Sequence, residues 1–202
     1  MTTAPCPPRL IVGMSGASGA IYGIRLLQML RGTSVQTHLV MSQAAKITLA
    51  QETDLKVADV EALADVVHAN TDIGAACASG SFPTLGMVVA PCSVKTMAEI
   101  ASGVTPNLLS RSADVALKER RRLVLLLRET PLHLGHIRNM AAATEAGAIV
   151  CPPVPAFYAR PASLEEMVDH TLGRVLDLFG LDLGTLRRWT GQRTRPKRTA
   201  AD

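Results

Sequence analysis

Short polar segments that follow predicted strands are the residues of this chain best suited to binding an anion. The first is the glycine-rich run at residues 13–19, which reads G-M-S-G-A-S-G. Glycines let backbone N–H groups approach a phosphate, and the N-terminus of a following helix adds positive partial charge. The run is neither a Walker loop nor the dinucleotide motif G-x-G-x-x-G. It therefore predicts either an anion-binding loop or a plain tight turn.

The next two polar segments also stand where predicted strands end. Residues 91–96 read P-C-S-V-K-T, and the hydroxyl and N–H groups there can hold a phosphate or a polar ring, or can simply cap a helix. Arg128 and Glu129 come directly after the apolar run 123–127. A charged pair beside a buried strand is costly without a purpose, so these two residues face either each other or a ligand.

A fourth set of candidate residues is spread along the chain. Arg111 and Lys118 are seven residues apart in one predicted helix, so two turns place them on the same face. Tyr158 ends a proline-rich loop. Since no spacing rule joins Tyr158 to the two cations, the pattern leaves their relation open.

Two further sites have structural explanations that compete with functional ones. Arg174 lies among apolar residues of the last predicted helix, where it can snorkel or pair with Asp169 or Asp177. His133 and His136 have a spacing that a metal could use, but no acid or cysteine nearby completes a site. The pattern favours structural histidines and no bound metal.

Alternating strands and helices must position these segments. Ser42 and Asn107 stand where the N-caps of helices are expected, and Ser163 with Glu166 predicts a capping box. Continuous apolar strands such as 123–127 indicate a parallel sheet covered on both faces. The sequence thus predicts a single-domain α/β fold, a Rossmann-like doubly wound parallel sheet with ligands at the carboxyl ends of its strands. Predicted strands cover residues 9–13, 35–41, 87–90, 123–127 and 149–151, and Pro91 is expected to close the third of them. Predicted helices cover residues 18–31, 42–50, 57–67, a segment from 95, 106–119, 133–146 and 163–179.

Charge and composition exclude several classes of protein. Six of the 21 Lys and Arg residues lie in the last sixteen positions, which leaves 15 bases against 16 acids over residues 1–186, a net charge of −1. A nearly neutral body does not indicate a nucleic-acid-binding surface. No apolar run approaches the roughly 20 residues that cross a bilayer, and no secretory signal is visible, so a cytoplasmic location is expected. The four cysteines are widely spaced and are expected to be mostly buried free thiols.

The motifs together resemble the UbiX-type flavin prenyltransferases. The similar blocks include G-M-S-G-A-S-G-A-I-Y-G-I-R-L-L, V-M-S-Q-A-A, L-A-Q-E-T-D, A-P-C-S-V-K-T, L-K-E-R-R-R-L-V-L-L-L-R-E-T-P-L-H-L-G-H and P-P-V-P-A-F-Y-A-R-P, and they run in order from about residue 9 to residue 181. The resemblance implies the fold of the homo-oligomeric flavin-containing decarboxylases and an assembly that is typically a dodecamer. It also implies a metal-independent enzyme that joins dimethylallyl phosphate to reduced FMN at N5 and C6. The product, prenylated FMN, is the cofactor of UbiD-type decarboxylases, for example in ubiquinone synthesis.

The resemblance also implies roles for individual residues. Glu129, Glu52, Lys118 and Ser18 would take part in catalysis, with the two glutamates serving proton transfer. The phosphate of the prenyl donor would be bound by Arg111, Lys118, Tyr158 and Arg174. The FMN-binding residues would be Gly16, Ala17, Ser18, Ser42, Ser93, Val94, Lys95, Thr96 and Arg128.

Two other hypotheses compete with prenyl transfer. A flavin-dependent decarboxylase of the wider group would use a histidine base near the flavin, and a non-catalytic flavin carrier would not need Lys118, Glu129 or Tyr158. The expected organisation is an N-terminal extension at residues 1–8, a flavin-binding domain at 9–186 and a basic tail at 187–202 that is expected to be disordered.

Overall fold

One parallel sheet with helices on both faces organises residues 7–184, 186–188 and 191, which the computed structural model describes. Its strands are β1 (Arg9–Met14), β2 (Gln36–Met41), β3 (Val66–Ala69), β4 (Gly86–Cys92), β5 (Arg122–Leu127) and β6 (Ile149–Val150). Its α-helices are α1 (Ala20–Leu30), α2 (Gln43–Glu52), α3 (Val57–Glu61), α4 (Val94–Ser102), α5 (Leu108–Lys118), α6 (Leu134–Glu145) and α7 (Leu164–Asp177).

The strand order is β3-β2-β1-β4-β5-β6, and every strand pair is parallel. This is the order of the Rossmann fold, so the predicted doubly wound α/β architecture is confirmed. The order reverses between β1 and β4. Loops on either side of such a reversal diverge to opposite faces and leave a crevice at the carboxyl edge, where ligands bind in folds of this kind.

Consecutive side chains of the central strands point to opposite faces of the sheet, and both faces are buried. In β5, for instance, Val124 and Leu126 join the core under α1, α2 and α7, whereas Leu123, Leu125 and Leu127 join the core under α4, α5 and α6. Because both faces are covered, the strands read as continuous apolar runs, which is why the sequence predicted them well.

The stretch between α2 and β4 differs from the prediction. A single helix over residues 57–67 is wrong, because α3 ends at Glu61 and residues 66–69 form β3 at the edge of the sheet. The four-residue strand V-V-H-A is too short to show a period of two. Its strand conformation depends on pairing with β2, which the local sequence does not report.

Two predicted boundaries near the carboxyl edge also shift. Helix α1 begins at Ala20 and not at Ser18, because Gly19 takes the left-handed conformation with φ of 106°. Pro91 was expected to close its strand, but β4 continues to Cys92 through a register shift after Val89. Such irregularities are where a proline is tolerated within a sheet.

Most predicted helix caps are present. The side chains of Ser42, Asn107 and Ser163 each accept a hydrogen bond from the third residue of the helix that follows. The predicted capping box is half formed, since Glu166 accepts from the N–H of Ala162 and not from that of Ser163.

Part of each chain end and three of the four cysteines are among the described residues. The predicted extension and tail fall largely outside the described residues, but Arg187 donates to the carbonyl oxygen of Ala159. Cys77, Cys92 and Cys151 are free thiols and two of them are buried, whereas Cys6 lies outside the described residues. Among the described helices, none combines the length and the apolarity that crossing a bilayer requires.

Candidate active site

A cleft of about 560 Å³ opens at the carboxyl edge, at the reversal of strand order. Loops after β1, β2, β4 and β5 form its walls, together with the first turns of α2 and α4. Its lining includes all nine residues predicted to bind FMN, together with Glu129: Gly16, Ala17, Ser18, Ser42, Ser93, Val94, Lys95, Thr96 and Arg128. The structure therefore brings together four sequence segments that are up to 112 residues apart, from Gly16 to Arg128.

Ser15 joins the two loops on either side of the reversal. Its side chain is 1% exposed, and its hydroxyl donates to the carbonyl oxygen of Pro91 at 3.0 Å and accepts from the N–H of Ser93 at 2.8 Å. The Ser15 N–H also donates to Pro91. A fully satisfied buried hydroxyl fixes the glycine-rich loop against the start of α4.

Gly16 is required where the glycine-rich loop meets α2. A Cβ atom on Gly16 would lie 2.3 Å from the Cβ of Ala44, far inside normal contact. The close approach lets the loop and the first turn of α2 line one wall of the cleft. An anion-binding loop therefore accounts for the motif better than a plain tight turn does.

Several backbone N–H groups at the cleft have no acceptor in the described part of the chain. In α2 and α4 the N-cap serines satisfy the third N–H, at Ala45 and Thr96, but not those of the first two residues. Val94 and Lys95 are those first two residues of α4, and both line the cleft. Unsatisfied N–H groups at a helix N-terminus favour a bound phosphate or a polar ring edge.

The N-terminus of α5 contrasts with those of α2 and α4. Asn70 accepts from the N–H groups of Leu108 and Leu109, and Asn107 accepts from those of Ser110 and Arg111. All four N-terminal donors are thus used by protein, so α5 supplies a wall of the cleft and not an anion-binding end.

Glu52 caps α1 instead of lining the cleft. Its carboxylate accepts from the N–H groups of Gly19 and Ala20 at 2.9–3.0 Å. Burial by itself raises the pKa of the Glu52 carboxyl, but the hydrogen bonds from the Ser18 side chain, Ala20 and Gly19, with the charge of Arg128, hold this pKa below its usual range. Glu52 is therefore an anion at neutral pH that orients the hydroxyl of Ser18.

Arg128 and Glu129 both line the cleft without pairing with each other. The Arg128 N–H donates to the carbonyl oxygen of Cys92, which places the side chain at the mouth of the cleft. Arg128 makes no ion pair with a described residue, and Glu129 accepts only from the N–H of Thr130. Of the two explanations left open by the sequence, a ligand fits this arrangement better than a mutual pair.

Arg111 and Lys118 do not line this cleft. Arg111 pairs with Asp114 at 2.7 Å, and Lys118 pairs with Glu119. The helix α5 starts beside the cleft and runs to the opposite edge of the sheet, so Lys118 lies about 16 Å away along the helix axis. A lysine side chain does not bridge that distance within one chain.

Tyr158 and Arg174 lie together, but in a second cavity of about 380 Å³. This cavity, called the α7 pocket below, is lined by Tyr158, Arg174, Leu186 and Arg188. Arg174 pairs with Asp177 at 3.0 Å, which is one of the two pairings that periodicity suggested. No residue in the described part of the chain lines both the α7 pocket and the cleft.

Sequence analysis missed part of the lining. Asn70 follows β3, and its position at a strand end would have been a signal had that strand been recognised. Asn107 was interpreted only as a helix cap, yet it also borders the cleft. Gln43, Ala44, Glu99 and Leu109 carried no distinguishing pattern.

His133 acts as a structural residue. Its Nδ1 atom accepts hydrogen bonds from Gly135 and His136 and caps α6. The centroids of the His133 and His136 imidazole rings lie 3.5 Å apart.

Comparison with known proteins agrees with the chemistry of the cleft. Residues 4–176 match the protein family described as Flavoprotein. The flavin prenyltransferase UbiX of Escherichia coli strain K12 is 60% identical over 186 residues, which cover 91% of this chain and 98% of that protein. The chain belongs to the flavin prenyltransferase family.

Solved structures of family members share the fold closely. The crystal structure of AnUbiX in complex with FMN and dimethylallyl pyrophosphate matches with a TM-score of 0.90 and 53% identity, covering 93% of this chain and 100% of that one. A dodecameric FMN-dependent UbiX-like decarboxylase from Escherichia coli O157:H7 matches with a TM-score of 0.88 and 50% identity, covering 91% and 100%. Membership of the flavin prenyltransferase family accounts for a cleft that offers both N–H donors and an unpaired arginine.

Proposed function

We propose that this enzyme transfers the dimethylallyl group of dimethylallyl phosphate to N5 and C6 of reduced FMN and releases inorganic phosphate. The observation that carries the proposal is the meeting of all nine predicted FMN-binding residues and Glu129 in one cleft. The relative crystallised with FMN and dimethylallyl pyrophosphate supports the choice of both substrates.

In the proposed mechanism, the flavin supplies the nucleophilic positions and the protein controls charge and water. Backbone N–H groups at α2 and α4, with Arg128, hold the anionic and polar parts of FMN. Glu129 stands at the cleft and protonates the departing phosphate, a contribution that is typically about 10²–10⁴-fold. Ser18, oriented by the Glu52 carboxylate, contributes a hydroxyl at the same place.

The leaving phosphate needs more cations than one chain places at the cleft. A phosphate departs readily only when its developing charge is neutralised, and we assign this task to Arg111, Lys118, Arg174 and Tyr158. Lys118 lies at the opposite edge of its own sheet, and Tyr158 and Arg174 lie in the α7 pocket. We therefore propose that these residues complete the cleft of neighbouring copies in a homo-oligomer.

A dodecamer is the proposed assembly, since a dodecameric relative covers nearly the whole chain. Exposed apolar side chains on α6 and in the loop before α7, among them Leu134, Val154 and Phe157, suit such contacts. A cytoplasmic location and delivery of prenylated FMN to a UbiD-type decarboxylase are parts of the same proposal.

The reaction itself is tested by mass spectrometry of the flavin. Reduced enzyme with FMN and dimethylallyl phosphate is expected to yield flavin heavier by one prenyl group. Unchanged FMN under strictly reducing conditions would refute the proposal. A decarboxylase of the wider group would use a histidine base near the flavin, but no histidine lines the cleft among the described residues.

Two variants test the division of the site between copies. Glu129→Gln and Lys118→Ala are each expected to keep FMN binding and to abolish prenylation. Mixed oligomers reassembled from the two inactive variants should regain activity, because some sites then contain an intact Glu129 from one copy and an intact Lys118 from another. Mixtures that stay inactive after verified subunit exchange would contradict a shared site.

A further inference from the structure

Arg188 is a charged residue of the α7 pocket to which neither the sequence patterns nor the resemblance gave a role in binding or catalysis. It shares the pocket with Tyr158 and Arg174, which are proposed to bind the phosphate of the prenyl donor. The inference below rests on that proposed function. It concerns how the α7 pocket recognises the phosphate.

One carboxylate holds the two arginines of the pocket side by side. Arg188 donates through Nη1 and Nη2 to the two oxygens of Asp177, both at 2.9 Å. Arg174 donates through Nη1 to the same Asp177 Oδ2 at 3.0 Å. Because both guanidinium groups contact one carboxylate, their positions relative to each other are fixed.

The carboxylate lies behind the arginines and not in the pocket. The Asp177 side chain is 18% exposed, whereas those of Arg174 and Arg188 are 55% and 48% exposed. Among the described residues, the lining of the pocket contains both arginines and no acidic residue. An anion that enters the pocket therefore meets two cations and a phenol before it meets Asp177.

Both guanidinium groups keep donors for a ligand. An arginine has five N–H donors, and the ion pair with Asp177 uses one of those on Arg174. Arg188 uses three, two toward Asp177 and one toward Asp182, so its Nε–H and one Nη1–H remain. Paired guanidinium groups with planar donor edges match the oxygens of a phosphate.

We propose that Arg188 binds the phosphate of the prenyl donor beside Arg174 and Tyr158, and that Asp177 is the positioning residue that holds the two arginines together. A phosphate monoester is a dianion; Asp177 offsets one of the two guanidinium charges, so the pair supplies one net positive charge, and Arg111 and Lys118 of neighbouring copies would balance the rest. Asp182 is largely exposed and also accepts a hydrogen bond from the N–H of Gly184, so it can release Arg188 when the donor binds.

The primary test is Arg188→Gln, measured as the KM for dimethylallyl phosphate. Removing a charge-assisted hydrogen bond weakens binding about 10- to 100-fold. Because Arg188 is half exposed, we expect the KM for dimethylallyl phosphate to rise about tenfold in Arg188→Gln. The Kd for FMN should not change, because Arg188 is assigned to the phosphate of the prenyl donor and not to the flavin. Arg188→Lys should restore part of the affinity, since it keeps the charge but loses the fork geometry.

Matched variants separate the assigned roles. Asp177→Asn is expected to raise the donor KM severalfold although Asp177 does not line the pocket, again with an unchanged FMN Kd. Arg31→Gln is the control: Arg31 is exposed at the C-terminal end of α1, at the edge of the sheet opposite the cleft, and should leave donor KM and FMN Kd at their original values.

The outcomes distinguish this inference from the proposed function. A raised donor KM in Arg174→Gln with no change in Arg188→Gln would overturn the role of Arg188 and leave prenyl transfer intact. A weaker FMN Kd in Arg188→Gln would overturn it too, because the pocket would then bind the flavin phosphate. Absence of prenylated flavin from the unsubstituted enzyme would instead refute the proposed function itself.

Discussion

Replacing Gly16 with alanine tests whether the close contact between the glycine-rich loop and α2 creates the FMN-binding wall. The new Cβ would lie 2.3 Å from the Cβ of Ala44 and 3.1 and 3.2 Å from its C and Cα atoms. Carbon atoms attract at about 3.5–4.0 Å, so the loop and the first turn of α2 must separate by more than about 1 Å. No side-chain rotation relieves the clash, because a Cβ position is fixed by the backbone.

The displacement acts directly on flavin binding. Gly16 and Ala44 lie on the same wall of the cleft, and their separation misaligns N–H donors on both sides of the contact. A charge-assisted hydrogen bond contributes about 1.5–3 kcal/mol, so losing one or two costs about 3 kcal/mol. We therefore expect FMN to bind about 100-fold more weakly to Gly16→Ala.

Titration of the apo-enzyme with FMN, followed by flavin fluorescence, measures this effect. Ala44→Gly supplies the matched control, because it removes the Cβ atom that the new methyl group meets. Ala44→Gly alone should cost about 1 kcal/mol of helix stability. Combined with Gly16→Ala, it should restore much of the FMN affinity, which is a favourable coupling between contacting residues.

Two results would refute this reasoning. FMN affinity in Gly16→Ala equal to that of the unsubstituted enzyme would show that the wall tolerates the separation. Strictly additive losses in the double variant would show that the defect does not come from the contact with Ala44.

Three further substitutions test other parts of the structure. Burial, with the nearby charges of His68 and Arg9, lowers the pKa of His38 from 6.5 to about 4. The unfolded chain therefore binds more protons between these two pH values, so the stability contributed by neutral His38 is complete above pH 6.5 and falls as the pH decreases toward 4. Urea unfolding should show about 2 kcal/mol lost between pH 7 and pH 5, and His38→Gln should flatten that dependence, whereas an unchanged slope would contradict it. Ser15→Ala leaves the N–H of Ser93 without its acceptor, whereas the carbonyl oxygen of Pro91 still accepts from the N–H of residue 15. The free energy of unfolding should fall by about 1–3 kcal/mol, with a weaker FMN Kd, and unaltered urea unfolding would argue against the bridging role. Glu52→Gln keeps an acceptor for the N-terminus of α1 but removes the charge, so prenylation should fall while FMN remains bound, and full activity would exclude a role for the carboxylate.

The part of the fold that the sequence predicted is the part with strong local signals. The run L-V-L-L-L in β5 is apolar because both faces of the sheet are covered. Ser42 predicts the start of α2 because serine is a favoured N-cap residue. The strand β3 was missed because its conformation comes from pairing with β2. Likewise, the path of β4 through Pro91 depends on a register shift against β5 that no local pattern encodes.

The sequence by itself determined which residue types could bind a phosphate, since glycines, N-cap serines and Arg128 are recognisable by chemistry and by their place after apolar runs. Only the tertiary structure decided which of them meet. Strand order gathers the FMN-binding residues at one edge, whereas the length of α5 carries Lys118 to the opposite edge. The physical reason is that spacing along the chain determines which face of a helix or strand a side chain lies on. The distance between side chains on different elements is set by the order of the strands in the sheet and by which helices pack on each face.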